Sequence, residues 1–202
     1  MPAIGCFQEL IGWIESEARP IYPFHPYGLQ FAILHLRSAR LISSEPGNIP
    51  EMLTFKLATG DQYETFFQLM LNEASDYLLR TMELMHMTLE QARHLFEHVG
   101  QVYGIYEDDK SVGFYWIEER YKVLHLHGLV LREEFQGKGI GTQVLKMLES
   151  EYGPRVAAIE LGVHQSNEKA KRLYERMGFQ TVIYRSELGF YIMRKSLHDD
   201  PA

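Results

Sequence analysis

Residues 136 to 141 read Gln136-Gly137-Lys138-Gly139-Ile140-Gly141, at the seam between two apolar runs of different period. The run before them, Val123 to Leu131, reads Val-Leu-His-Leu-His-Gly-Leu-Val-Leu and predicts a strand. The run after them carries Ile140, Val144, Leu145 and Leu148 at helical spacing and stops at Gly153-Pro154. A glycine-rich turn that opens a helix gathers backbone N–H groups with no intrahelical acceptor, and such groups converge on phosphate oxygens. The chain thus advertises a site for a phosphorylated ligand.

Two familiar phosphate loops fail on their residues. A Walker A loop needs Gly, four residues, then Gly-Lys-Ser/Thr. Here Gly139 follows Lys138 where the hydroxyl belongs, and Arg132 stands where the first glycine belongs. A dinucleotide fingerprint needs a third glycine three residues after the second. Counted from Gly137 and Gly139, that position is Thr142.

The loop instead resembles the acetyl-CoA loop of the GNAT superfamily of N-acetyltransferases, Gln/Arg-x-x-Gly-x-Gly/Ala, at Gln136, Gly139 and Gly141. By itself this hexapeptide is also compatible with an ordinary strand-to-helix turn. A second segment adds to it. Ile159, Leu161 and Val163 alternate like a strand, and Gln165, Ser166 and Asn167 supply helix-start chemistry. Ala170, Leu173, Tyr174 and Met177 then form one helical stripe, and Gly178 closes the helix. This segment resembles the second GNAT signature, Asn-x-x-Ala-x-x-Leu-Tyr-x-x-x-Gly-Phe, at every defined position from Asn167 to Phe179.

The order of segments agrees. A strand is predicted over 53–58 and a helix from Asp61, a plausible N-cap, to about Arg80. A second helix runs from Thr88 to His98, ending at Gly100. A hairpin over 102–118 follows, then the two motif units, and strands near 180–186 and 190–195. The plan is α/β with a mixed sheet. The resemblance implies the GNAT fold over residues 52–198: a mostly antiparallel, twisted sheet of about seven strands flanked by about four helices. Residues 1–51 form an extension, with Pro20, Pro23 and Pro26 at three-residue spacing and a linker-like stretch over 43–50. Three readings of it stand open: a docked or dimer-covering arm, a partner-binding arm, or residues absent if translation starts at Met52.

With 202 residues the chain fits one substantial core. No apolar run reaches the roughly 18 residues that span a bilayer, and the N-terminus lacks a basic n-region. The single cysteine, Cys6, suits a reducing cytoplasm, the expected location. A net charge of −7 argues against bulk nucleic-acid binding. A homodimer is one possible assembly.

The resemblance implies acetyl-CoA as cosubstrate and an amine-bearing acceptor. The pyrophosphate is expected on backbone N–H groups of Gly137, Lys138, Gly139, Ile140, Gly141 and Thr142, with Gln136 leading in. The pantetheine arm is expected along Leu129, Val130 and Leu131, and Asn167 and Ala170 near the cofactor. Tyr174 aligns with the tyrosine that serves many of these enzymes as general acid toward the CoA sulfur; packing on the apolar stripe is its other reading. His125 and His127 share strand parity before any bulge and resemble the histidines of arylalkylamine N-acetyltransferases, proposed to draw a proton through water. Core histidines are the alternative; Glu118 and Glu119 are backup bases. Tyr77, Met82, Met85 and Met87 are candidates to line an apolar acceptor pocket. His94 and His98 share a helix face, but Leu95 stands where a zincin needs glutamate, and no metal site is expected. The function implied is transfer of acetyl from acetyl-CoA to a primary amine; a non-catalytic acyl-CoA-binding regulatory domain and a partner-recruiting scaffold are the alternatives.

Overall fold

A computed structural model describes residues 53–84, 86–186 and 189–198. The readings of residues 1–51, their proline spacing and linker included, lie outside it. The element order is β1 (Leu53–Leu57), α1 (Gln62–Glu73), α2 (Ser75–Leu84), α3 (Leu89–His98), β2 (Gln101–Glu107), β3 (Lys110–Arg120) and β4 (Val123–Leu131). A 3-10 turn (Glu133–Phe135) leads into α4 (Ile140–Tyr152), then β5 (Ala158–His164), α5 (Glu168–Arg176), β6 (Gln180–Arg185) and β7 (Phe190–Ser196). The seven strands form one sheet in the order β1-β2-β3-β4-β5-β7-β6. Only β4 and β5 pair in parallel among the described strands. The expected mixed, mostly antiparallel α/β sheet is therefore present. Among the described residues no helix is long and apolar enough to cross a membrane.

Two cores form because the sheet's strands alternate apolar residues to both faces. One face carries Tyr115, Ile117, Leu124 and Ile159 against Val144, Leu145 and Leu148 of α4. The other packs Val102 and Phe114 under Phe66 and Phe67 of α1, Met82 of α2 and Phe96 of α3.

Local chemistry accounts for three of the helix ends. Thr88 accepts from the Gln91 amide while the Gln91 side chain accepts from the Thr88 amide, a capping box for α3. Asn167 Oδ1 accepts from the Ala170 amide at 3.2 Å and so caps α5. Gly178 closes that helix at φ +88°.

Two expectations change. Asp61 already has helical dihedrals and makes no side-chain cap; Gln62 Oε1 instead reaches back to the Thr59 amide at 2.9 Å. The stretch read as one helix from Asp61 is two, because Ala74 leaves helical geometry (φ −132°) and α2 restarts at Ser75.

The strand before the glycine loop contains a bulge. Trp116 pairs with Gly128 and Ile117 with Leu126, so His127 is the extra residue. The bulge reverses parity beyond it. Val130 packs toward the α1–α3 core, while Leu129 and Leu131 pack toward α4.

Candidate active site

β4 and β5 pair only from Val123–Ala158 to Leu126–Leu161; beyond that register no β4–β5 pairs form. Among the described strands, β4 from there pairs with β3 alone and β5 with β7 alone. Between the parted strands lies a cavity of about 470 Å³. One side is formed by Gly128, Leu129 and Val130, the other by Gly162, Val163 and His164, with Asn167, Ala170 and Tyr174 of the α5 region at one end. The β4 backbone edge facing this fork is not paired with β5, so an extended chain can add to it as a strand would. Leu131 ends the strand: its side chain packs on the α4 core and its carbonyl accepts from Gln136 Nε2 at 3.0 Å.

That bond defines Gln136. Its amide ties the start of the glycine loop to the end of β4, and a second contact reaches Glu73 Oε2 at 3.3 Å. Gly137 and Gly139 follow with φ +76° and +84°, a region that costs ordinary residues about 1–2 kcal/mol. A Cβ on either would meet no atom within 4 Å, so both glycines bare backbone toward open space. The first α4 bond runs from the Gln143 amide to the Gly139 carbonyl at 3.1 Å. The N–H groups of Ile140, Gly141 and Thr142 therefore precede the helical ladder and sit at the positive end of the α4 dipole. Ile140 turns its side chain into the core, 2 % exposed, so its backbone alone is offered. A Cβ on Gly141 would lie 3.0 Å from Leu173 Cδ2, so glycine here lets α4 and α5 approach. Exposed backbone, a helix N-terminus and open space above two glycines suit a pyrophosphate. Lys138 is solvent-exposed with its ammonium 4.9 Å from the Phe135 ring centre. Lys110, from the β2–β3 hairpin, approaches the same ring at 4.6 Å, a second cation beside the loop that motif spacing does not reveal.

At the other end of the fork the floor is polar. His127 Nε2–H donates to Glu118 Oε2 at 3.0 Å, and the His127 ring lies 4.7 Å from that of Trp116. This bond holds the Glu118 carboxyl below its usual range, with Arg120 adding to the effect. A carboxylate can only accept, so the Nε2 proton assignment leaves Nδ1 as the basic nitrogen of neutral His127. His125 stands beside it, ring centres 6.3 Å apart. Burial, followed by the charges of Arg120 and His127, pushes its pKa down to about 4, so it is neutral near pH 7. Its Nδ1 is 3.6 Å from Glu160 Oε1, too long for a hydrogen bond. Burial raises the Glu160 carboxyl, against the lowering effect of Arg194. Tyr174 is 8 % exposed, packs on Phe179 and lines the same cavity; burial pushes its phenol up to about 12.

His125, His127 and Tyr174 thus share one cavity, to which Asn167 and Ala170 also contribute. Asn167 caps α5 as expected of the turn. Glu118 partners a histidine. Glu119 does not line the cavity and pairs with Arg155 at 2.8 Å. Of the four acceptor-pocket candidates, Met87 lines the cavity and Met82 is buried in the α1–α3 core. The side chains of Tyr77 and Met85 lie outside the described ones. Trp116, Gly128, Glu160 and His164 were missed. Glu160 left a trace, a charged residue between core Ile159 and Leu161; Trp116 left none, being one aromatic in an apolar strand. His94 and His98 stack on the exposed side of α3 at 4.1 Å, and His98 Nδ1 donates to the His94 carbonyl.

The family model described as the Acetyltransferase (GNAT) family matches residues 63–179. The chain is 27 % identical over 155 residues to the spermine/spermidine N(1)-acetyltransferase of Bacillus subtilis (strain 168), covering 68 % of this chain and 92 % of that protein. It is 30 % identical over 126 residues to the mycothiol acetyltransferase of Propionibacterium freudenreichii subsp. shermanii, covering 56 % of this chain but 39 % of that protein. Among solved structures, an acetyltransferase from Thermus thermophilus superposes with a TM-score of 0.57 at 20 % identity, covering 71 % of this chain and 96 % of that one. The PaiA N-acetyltransferase from Thermoplasma acidophilum, solved in complex with coenzyme A, superposes at 0.55 with 17 % identity, covering 71 % of this chain and 98 % of that one.

Proposed function

The chain belongs to the acetyltransferase (GNAT) family, and from that premise we propose that it transfers an acetyl group from acetyl-CoA to the primary amine of an acceptor. The observation that carries the reading is one cavity that joins the β4–β5 fork to His127, Glu118 and Tyr174, with the glycine loop following β4. A relative named for spermine and spermidine, and a fold neighbour solved with coenzyme A, support an amine acceptor and a CoA donor.

Acetyl-CoA supplies the activated thioester. Backbone N–H groups from Gly137 to Thr142 hold its pyrophosphate, with Lys138 and Lys110 adding charge nearby. Leu129 and Val130 guide the pantetheine arm along β4, and Gln136 keeps the loop against the end of that strand. An amine must lose a proton to attack the carbonyl. His127 takes it, directly or through water, at Nδ1, because Glu118 holds the proton on Nε2. His125 is too weak a base near pH 7 for that job and serves as a neutral polar neighbour that keeps a water in place. Tyr174 faces the departing sulfur. With a phenol near pKa 12 it stabilises the developing thiolate chiefly by donating a hydrogen bond.

The test is CoA release measured across small amines, aminoglycosides, peptide N-termini and lysine peptides. Turnover with one class, lost on removing acetyl-CoA, is the expected result. Tight acetyl-CoA binding with no turnover in any class would favour an acyl-CoA-binding regulatory domain.

A further inference from the structure

Resting on the acetyl-transfer reading of this cavity, we propose that the acceptor is a primary monoamine on a hydrophobic body, and not a polyamine. Its amine end would sit among Trp116, His127 and Glu118, and its hydrocarbon along the helical wall.

The wall carries the argument. Opposite the polar floor, the cavity is lined by Met70, Leu78, Met87, Leu95 and Val99 of the α1–α3 region. Among the described lining residues, every carboxylate, guanidinium and imidazole lies on β3, β4 or β5. The floor's two carboxylates also have cationic neighbours: Glu118 lies 4.0 Å from Arg120, and Glu160 lies 3.8 Å from Arg194. A polyamine places further ammonium groups several bonds from the reacting nitrogen. Along this wall they would lose hydration, and among the described wall residues no carboxylate replaces it. An alkyl or arylalkyl tail meets the opposite condition and gains from every methylene buried.

Trp116 sets the amine end. Its indole N–H donates to the Val99 carbonyl at 2.6 Å, so the donor is already used and a ring face is what the side chain can offer a ligand in the cavity. That face lies beside His127, which in turn contacts Glu118. An ammonium arriving there is attracted by the π-face and the carboxylate, and then passes its proton to His127.

The experiment uses the full chain, acetyl-CoA and CoA release. The n-alkylamines from ethylamine to hexylamine, and 2-phenylethylamine, are compared with spermidine, spermine and short peptides bearing free N-termini. We expect kcat/KM to rise by about fourfold per added methylene. Hexylamine should exceed spermidine by at least about tenfold. Leu95→Glu, which places a carboxylate on the wall, should flatten the alkyl series and narrow that gap; circular dichroism checks its fold. A series flat in chain length, or kcat/KM for spermidine or a peptide above that for hexylamine, overturns the proposal while leaving acetyl transfer standing. Acetyl-CoA binding by calorimetry with no turnover of any amine removes the acetyl-transfer reading, and this inference with it.

Discussion

Burial decides what Tyr174 does. A phenol held near 12 is protonated at every working pH, and its ring packing on Phe179 is independent of its hydroxyl. Tyr174→Phe is therefore expected to lower kcat by about a hundredfold and to leave the melting temperature almost unchanged. Undiminished steady-state turnover would remove the acid role. His125 makes the complementary prediction for stability. Its folded pKa, about 4, lies below the unfolded value of 6.5, so between those values the unfolded chain binds more protons. The contribution is full above pH 6.5 and is lost as pH falls toward about 4, on the order of 3 kcal/mol across that window. Urea unfolding across the same pH range should show a shallower loss in His125→Asn than in the parent chain. An equal slope would mean that other groups dominate.

Among the elements, the glycine loop was legible and the strand before it was only half so. Gly139 has φ +84° and opens α4, as a loop that bares backbone N–H groups requires. Gly139→Ala is expected to cost about 1–2 kcal/mol of stability from backbone strain. The added methyl should also raise the KM for acetyl-CoA by about tenfold or more with little change in saturating kcat. A kcat effect without a KM effect would place the loop's importance elsewhere. The ends of α3 and α5 were readable because Thr88, Asn167 and Gly178 act within one turn of where they stand. The break at Ala74 was not, since no glycine or proline marks it. The bulge at His127 was not either, because it depends on the register of β4 against β3. That bulge puts Leu129 and Leu131 on the α4 side of the sheet and Val130 on the α1–α3 side.

For the whole molecule the governing feature is the fork between β4 and β5, which opens the sheet without unfolding either strand. A ligand that fills it binds the folded state alone. Coenzyme A at about a hundred times its Kd is expected to add about 2.7 kcal/mol to the unfolding free energy, read as a rise of roughly 5–11 °C in melting temperature. No shift at saturating CoA would contradict the donor assignment. From sequence alone came the α/β order, the glycine loop at Gly137–Gly141, the α5 segment with Tyr174, and the family resemblance. All of these are properties of contiguous residues, set by hydrophobic period and turn chemistry. The tertiary structure alone decided that Glu118 partners His127, that His125 is buried beside Glu160, and that Met70, Leu78 and Leu95 face them. Those residues come from separate elements, and only strand register and helix packing determine which of them share a cavity.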